Sequence, residues 1–155
     1  MILLKPSKAI VKLQPDINFA TLSLVCSTIT PRFDVLKIEM VRKNYSFFPQ
    51  THREDSFIYM SHVLKEKKRF IKHFLHEFRH FIQSQVFNID FKDSKNCIPF
   101  NNKGTNRREY LDSPIEVDAR NFDKEIGYRA LNLYEYLEKK RILFEKLGSF
   151  QGTKI

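Results

Sequence analysis

The sequence predicts an α+β fold: an N-terminal helix and a small sheet, then a helix with closely spaced histidines and a long C-terminal helix. Residues 65–86 contain no glycine or proline, and their apolar side chains recur at helical spacing. Residues 33–42 and 57–62 are rich in β-branched and aromatic types, which favours strands. A chain of 155 residues, 42% of them hydrophobic, can bury one core, so we expect a single domain over residues 1–155.

The N-terminal third is predicted from local signals. Asp16 is a suitable N-cap for a helix that ends before Pro31. Polar residues and Pro49 indicate a turn region between the two strands. The expected elements are a short strand at Ala9–Leu13, a helix at Ile17–Ile29, a strand at Phe33–Arg42, a turn region at Asn44–Asp55 and a strand at Phe57–His62.

Residues 76–80 read His-Glu-Phe-Arg-His, an H-E-x-x-H string within the helix predicted over Lys65–Val86. Positions four apart lie on one face of a helix, so His76 and His80 are placed to bind one metal ion together. Two imidazole ligands leave room for a third protein ligand and a water molecule, and Glu77 is then placed to act on that water. The alternative is that both histidines are surface or half-buried helix residues beside a paired glutamate.

A second informative segment, residues 113–120, reads Ser-Pro-Ile-Glu-Val-Asp-Ala-Arg. It begins with a good N-cap followed by a proline suited to the first helical position, so a new helix is predicted from here to about Leu147. Glu116 is either a third metal ligand or the Glu of a Ser-x-x-Glu capping box. Ala119, one turn later, favours the first interpretation because its small side chain would let this helix approach the histidine helix closely.

These two blocks resemble small gluzincin-type zinc metallopeptidases, in which H-E-x-x-H supplies two ligands and the base and a Glu on a following helix supplies the third. The closer resemblance is to compact phage and mobile-element proteins with H-E-x-R-H-x-x-Q and a downstream P-x-E-x-D-A, here residues 76–83 and 114–119. The chain is also similar, more loosely, to the ImmA/IrrE peptidases, whose E-x-x-A segment corresponds to residues 116–119. The resemblance covers about residues 57–126 and implies a compact zincin-like domain.

The resemblance also implies a zinc site made of three ligands and one general base: His76, His80 and Glu116 as ligands and Glu77 as the base. Larger gluzincins often place an Asp four residues after the ligand Glu, where it orients a ligand histidine. The chain departs from this pattern, because residue 120 is Arg. Asp118, or Asp112 in the preceding loop, is a candidate for the orienting role.

Hydrolysis of a peptide bond also needs a hydrogen-bond donor for the oxyanion that develops when water attacks the carbonyl. Tyr110, six residues before the expected ligand Glu, is the first candidate, followed by His73 and Arg79. Each has a structural alternative: Tyr110 packs where the helix begins, His73 is solvated, and Arg79 pairs with a neighbouring carboxylate.

Residues 88–112 form a long polar connection, rich in turn-forming residues, between the two helices of the expected site. Connections of this length are often functional lids or mobile segments. This one is therefore either a lid that borders the site or a disordered tether.

The chain is strongly basic, with 27 Lys and Arg against 18 Asp and Glu and a net charge of +9. Such a surface can attract nucleic acid or acidic partners, although a solvated basic face is the simpler interpretation, because no nucleic-acid-binding motif accompanies it. No segment approaches the roughly 18 apolar residues needed to span a bilayer, so we expect no membrane partner. The two cysteines fit a reducing compartment.

These observations lead to a principal hypothesis and an alternative from another class. The first is a zinc metalloendopeptidase that acts on a protein or peptide substrate in the cytoplasm of a bacterium or phage-infected cell, or in association with the virion. The alternative is a non-catalytic basic binding or virion-associated protein that retains a zincin fold and associates with nucleic acid. A DNA-associated protease would combine the two.

Overall fold

The computed structural model describes residues 1–41, 56–101 and 103–152. In chain order the elements are β1 (Ile2–Pro6), α1 (Lys8–Leu13), α2 (Phe19–Ile29), β2 (Asp34–Val41), β3 (Phe57–Ser61), α3 (Lys67–Gln85), α4 (Arg107–Asp112), α5 (Pro114–Phe122), a π-helical turn (Asp123–Gly127) and α6 (Tyr128–Gly152). Helices, a small three-stranded sheet and a long C-terminal helix agree with the α+β prediction. The predicted turn region at Asn44–Asp55 lies outside the described residues.

The sheet is parallel throughout, in the order β1-β2-β3. Ile2 pairs with Asp34 across the first ladder, and Ile38 pairs with Ile58 across the second. Alternate side chains point to opposite faces of a strand, and one face here packs into the core. The buried positions on that face are Ile2 and Leu4, Leu36 and Ile38, and Ile58 and Met60.

The predictions for the first thirty residues need two corrections. The strand expected at Ala9–Leu13 is wrong: these residues belong to α1, because the Ser7 hydroxyl caps that helix by accepting a hydrogen bond from the Ile10 amide at 3.3 Å. The true first strand is β1, which was not predicted from the sequence. The predicted helix ends at Ile29 as expected, but Asn18 caps it in place of Asp16.

Helix α2 covers the outer edge of β1. The hydroxyls of Ser27 and Ser23 accept hydrogen bonds from the amides of Ile2 and Leu4, at 2.8 and 3.0 Å. The same hydroxyls donate back to carbonyls one turn earlier in α2. These hydrogen bonds explain why α2 has serines on the side that faces β1. They also occupy the amides of Ile2 and Leu4, so the β1 edge is closed to an added strand.

Helix α3 lies between the sheet and the C-terminal helices. Its apolar side buries Phe70, Phe74 and Phe78 completely, in the main core with the sheet. Its other flank faces α5 and the π-helical turn. The predicted Lys65–Val86 helix is therefore confirmed within two residues at each end, and the H-E-x-x-H string lies at a junction of helices.

The single helix predicted from Ser113 to about Leu147 is divided. At the π-helical turn the Tyr128 amide bonds to the carbonyl of Asp123, five residues earlier, which inserts one extra residue into the helical turn. Helix α6 then continues and packs against α2 and α3. Its Tyr134 is buried and accepts a hydrogen bond from the Asn18 amide at 3.0 Å.

The described part of the long connection is packed rather than a disordered tether. Phe91 and Cys97 form a small second core with Ile115 at the start of α5. The Ile115 amide also donates to the carbonyl of Asn96 at 3.2 Å. No helix within the described ranges combines the length and apolar character needed to cross a bilayer.

Candidate metal centre

His76 and His80 lie side by side on α3, as the spacing of four predicts. Their ring centroids are 4.9 Å apart and the ring planes are nearly perpendicular, at 88°. His80 is almost fully buried at 3% exposure, and its ring also meets the edge of Phe91 from the small second core. His76 is half-buried at the side of a cleft. His80 therefore lies in the protein interior, and His76 lies at the cleft.

Glu116 reaches this pair from α5. Its Oε2 lies 3.3 Å from Nε2 of His76, and its Oε1 lies 3.1 Å from Nε2 of His80. The capping-box alternative is not what the structure has, because Ser113 makes no side-chain cap and its hydroxyl donates to the Tyr110 carbonyl instead. Ala119 is fully buried, in line with a close approach of α5 to α3.

The geometry of these three side chains fits a metal ion. One ligand atom from each of His76, His80 and Glu116 can be chosen so that all lie within 4.8 Å of one another. Ligands about 2.0–2.2 Å from a tetrahedral ion are separated by roughly 3.3 Å, which matches the nitrogen–oxygen separations of 3.1 and 3.3 Å in this site. Oε1 of Glu116 is buried and accepts no hydrogen bond from the described residues, although Nε2 of His80 lies 3.1 Å away. An ion between these atoms would satisfy it.

Each imidazole is oriented by a hydrogen bond at Nδ1, the ring nitrogen that does not face Glu116. Nδ1 of His76 lies 2.8 Å from Oδ2 of Asp123, and Nδ1 of His80 lies 2.8 Å from Oε1 of Gln83. An oxygen can only accept, so each Nδ1 carries the proton and donates it. This tautomer leaves the Nε2 lone pairs directed at the shared position, as metal-binding histidines require.

Asp118 supports the centre indirectly. Its carboxylate accepts two hydrogen bonds from Arg79, at 2.8 and 3.1 Å, and one from Nε2 of Gln83 at 2.7 Å. Gln83 in turn orients His80, so Asp118 acts on a ligand through an intermediate side chain. The other candidate, Asp112, is exposed and pairs with Arg108 at 3.8 Å, away from the centre.

Burial and the neighbouring charges shift the pKa values of His76 and Glu116 in opposite directions. Burial lowers the pKa of His76, but hydrogen bonds to Asp123 and Glu116 outweigh it and raise that pKa to about 10. Burial raises the pKa of Glu116, but the two histidine rings, which can donate from Nε2 when they are protonated and no metal is bound, bring that pKa well below its usual range. The surroundings therefore favour positive charge between these side chains, which a divalent ion would supply in exchange for protons.

A cleft of about 750 Å³ opens beside the three side chains, and Glu77 lines it. No hydrogen bond or ion pair ties the Glu77 carboxylate to another described residue, and burial raises its pKa. Tyr110 lines the same cleft and hydrogen bonds to Glu116. Burial and the Glu116 charge raise the pKa of Tyr110, so its phenol stays a donor.

Of the three predicted oxyanion donors, two lie at the cleft and one does not. Tyr110 and His73 line it. Arg79 does not line the cleft: it pairs with Asp118 of α5 and lies over the ring of Phe122 at 5.2 Å. Arg79 therefore pairs with a neighbouring carboxylate, as its structural alternative proposed.

The walls of the cleft come from α3, the long connection, α4, α5, the π-helical turn and α6. The connection contributes Phe100, whose ring meets Tyr110 at 5.5 Å between centroids, so this segment borders the site. No residue of the sheet lines the cleft within the described ranges.

Sequence reasoning missed Asp123. It follows Glu116 by seven residues, a spacing that returns to the same side of a helix, and this was the available signal. The gluzincin pattern has an Asp four residues after the ligand Glu, where this chain has Arg120, so Asp123 on the next turn was not predicted.

The comparisons of this chain with protein-family models, with curated proteins and with solved structures each gave no match.

Proposed function

We propose that the protein is a zinc-dependent peptidase with a compact zincin-like domain. The observation that carries this proposal is the meeting of two histidine Nε2 atoms with one buried carboxylate, 3.1 and 3.3 Å away, at a cleft lined by Glu77. The resemblance to gluzincins supports it, because the residues of both motif blocks contact one another across α3 and α5.

Zinc is the metal that this donor set fits best. Two imidazoles with one carboxylate are typical of catalytic zinc sites, which keep a further position for water or substrate. When bound, zinc would supply a Lewis acid and lower the pKa of a water molecule to about 7. The part of the centre that faces the cleft is where such a water would lie.

Glu77 would be the general base. It takes a proton from the water that attacks the carbonyl carbon and delivers it to the departing amine nitrogen. This role needs a carboxylate that is beside the ligands but not committed to them, and Glu77 makes no ion pair with them in the described structure. Its neighbours in sequence, His76 and Phe78, fix its place on α3.

Tyr110 would donate a hydrogen bond to the carbonyl oxygen as negative charge develops on it. The phenol is already within hydrogen-bonding reach of Glu116, so it lies beside the reaction centre. His73, on the α3 side of the cleft, is the second donor of suitable position.

Zinc content is the first test. Elemental analysis should find about one zinc per chain in wild type and in Glu77→Gln, and a strong loss in His76→Ala, His80→Ala and Glu116→Ala. His62→Ala is the matched control, because His62 lies at the end of β3 and does not line the cleft. Absence of zinc from reconstituted wild type would refute the proposal. Zinc retained in Glu116→Ala would return Glu116 to a structural role.

Catalysis is tested on the zinc-loaded protein with a library of proteome-derived peptides, read by mass spectrometry. Wild type should cleave a subset, and Glu77→Gln should retain zinc and lose about 10²- to 10⁴-fold in rate. A wild type that holds zinc and cleaves nothing, while binding DNA in a salt-sensitive way, would support the non-catalytic alternative instead.

A further inference from the structure

Basic side chains surround the opening of the cleft. They come from four elements: Arg69 and Lys72 from α3, Arg107 from α4, Arg120 from α5 and Lys124 from the π-helical turn. Four of them are exposed, and Arg120 is partly buried. We call these five residues the basic rim.

The basic rim is not neutralised by the protein. None of its members makes an ion pair with a carboxylate in the described part of the chain, whereas their sequence neighbours do. Lys68 pairs with Glu135 at 3.5 Å, and Arg108 pairs with Asp112 at 3.8 Å. Lys68 and Arg108 are therefore paired with carboxylates, whereas the side chains of the basic rim are available to a ligand.

The carboxylates inside the cleft do not compensate for the rim. Glu116 and Asp123 are committed to the two histidines. Glu77 alone remains, and a divalent ion in the centre would add positive charge close to it. A cleft with one sign of charge and low-dielectric walls focuses the field toward its interior and attracts ligands of the opposite sign.

We propose that the cleft binds an acidic segment of a protein substrate, with Asp or Glu side chains beside the scissile bond directed at the basic rim. This inference rests on the peptidase function proposed above and adds the substrate class. The cleft volume of about 750 Å³ lies within the roughly 300–1,000 Å³ of ligand-binding clefts.

Arg120 lies one helical turn after Glu116 on α5 and lines the same cleft. One of its guanidinium nitrogens donates to the Leu111 carbonyl at 2.5 Å, which fixes the side chain at the wall. Its Nη1 is buried and has no acceptor among the described residues, so one hydrogen bond of this guanidinium is unused at the wall of the cleft. Arg120 is therefore assigned to an acidic side chain of the substrate.

The arrangement favours a peptide over a nucleic acid. The positive charges lie at the rim and the carboxylates lie on the floor, beside the proposed reaction centre. A peptide can bring its neutral backbone to that floor while its acidic side chains reach outward. A nucleic acid carries its charge along the whole length of its backbone, whereas the basic side chains here are grouped around one opening beside the candidate metal centre.

The test measures binding rather than turnover, so that it is independent of catalysis. Zinc-loaded Glu77→Gln protein is titrated with three short synthetic peptides that are identical except for Glu, Gln or Lys at alternate positions. Fluorescence anisotropy at low and high salt gives their affinities. The Glu peptide should bind about tenfold more tightly than the Gln peptide at low salt, and this advantage should shrink as salt screens it.

Matched variants locate the effect. Lys72→Gln, Arg107→Gln and Lys124→Gln together remove three exposed rim charges, and Lys12→Gln, Lys95→Gln and Lys139→Gln together remove three exposed charges that do not line the cleft. The rim triple should abolish the preference for Glu over Gln, and the control triple should change it less than about twofold.

Each outcome decides the inference. Equal binding of the Glu and Gln peptides, binding of none of the three, or an equal loss in both triples would overturn it. Tighter binding of a single-stranded DNA oligomer that displaces the Glu peptide would also overturn it and assign the rim to nucleic acid. Preferential binding of the Glu peptide without cleavage by wild type would sustain the rim while refuting the proposed peptidase.

Discussion

The two flanks of α3 are built by different chemistry. Toward the sheet the helix presents phenylalanines, such as Phe74 and Phe78, whose rings lie 6.2 Å apart and are fully buried. Toward α5 and the π-helical turn it presents His76, His80 and Gln83, each joined to a partner at about hydrogen-bond distance. The same helix thus has an apolar packing flank on one side and the candidate metal centre on the other.

The difference concerns what each flank tolerates. Apolar packing depends on volume, and a core accepts another apolar side chain of similar size at modest cost. The polar flank depends on which atom donates and which accepts, because a buried polar group without a partner costs about 1–3 kcal/mol. A change that preserves shape should therefore spare the first flank and damage the second.

Deleting a ring from the apolar flank should give the largest effect. Phe74→Ala removes a fully buried ring and should lower the free energy of unfolding by about 3–5 kcal/mol, because little surrounding structure can fill the space. Phe74→Leu should cost less, roughly 1–1.5 kcal/mol. Denaturant unfolding measures both.

Phe33→Ala is the control for this prediction, because Phe33 is 68% exposed and should change stability by less than about 0.5 kcal/mol. Zinc affinity of the folded Phe74→Ala protein should remain close to wild type. A Phe74→Ala protein of normal stability that no longer binds zinc would show that the two flanks are not separate.

An isosteric change on the polar flank should have a smaller but more selective effect. Asp123→Asn keeps the shape and an acceptor for Nδ1 of His76, but it removes the negative charge behind that ligand. Zinc affinity should fall about 10- to 100-fold, equivalent to about 1.4–2.7 kcal/mol, with little change in stability. Competition with a chromophoric chelator measures it.

Asp112→Asn makes the same chemical change on an exposed residue that pairs only with Arg108, and it should leave zinc affinity unchanged. Equal losses in the two variants would mean that Asp123 acts through net charge and not through His76.

The sequence was informative on α3 because the helix and its histidine pair depend on local spacing alone. The role of Glu116 could be narrowed only to two interpretations, since the same Ser-x-x-Glu segment is compatible with both and they differ in whether α5 lies against α3. That is a long-range contact, which periodicity does not encode. The π-helical turn that positions Asp123 could not be predicted from the sequence either, because no proline or glycine stands where it begins.

The N-terminal region and the cleft were less predictable for a related reason. Ala9–Leu13 has apolar residues that suit either a strand or a helix, and the cap at Ser7 and the pairing of β1 with β2 decided between them. The basic rim joins residues 69–124, so its members appeared in the sequence only as part of a general excess of Lys and Arg.

The smallest predicted effect concerns Arg79, where the two flanks meet. Its guanidinium makes two hydrogen bonds to Asp118 and lies over the rings of Phe87 and Phe122, at 5.1 and 5.2 Å. Lysine keeps the charge but loses the planar stacking and the paired bonds, so Arg79→Lys should lower the free energy of unfolding by about 1 kcal/mol or less, because Asp118 is 43% exposed.

Thermal and denaturant unfolding would measure this change beside Arg108→Lys, a control at a side chain that is 95% exposed. Zinc affinity should fall no more than a few-fold, since Gln83 still binds the Ile115 carbonyl and His80 without Arg79. A loss of zinc affinity as large as that of Asp123→Asn would place Arg79 among the residues that position the metal ligands. Arg79, which directly follows Phe78, would then belong to the polar flank of α3 together with His76, His80 and Gln83.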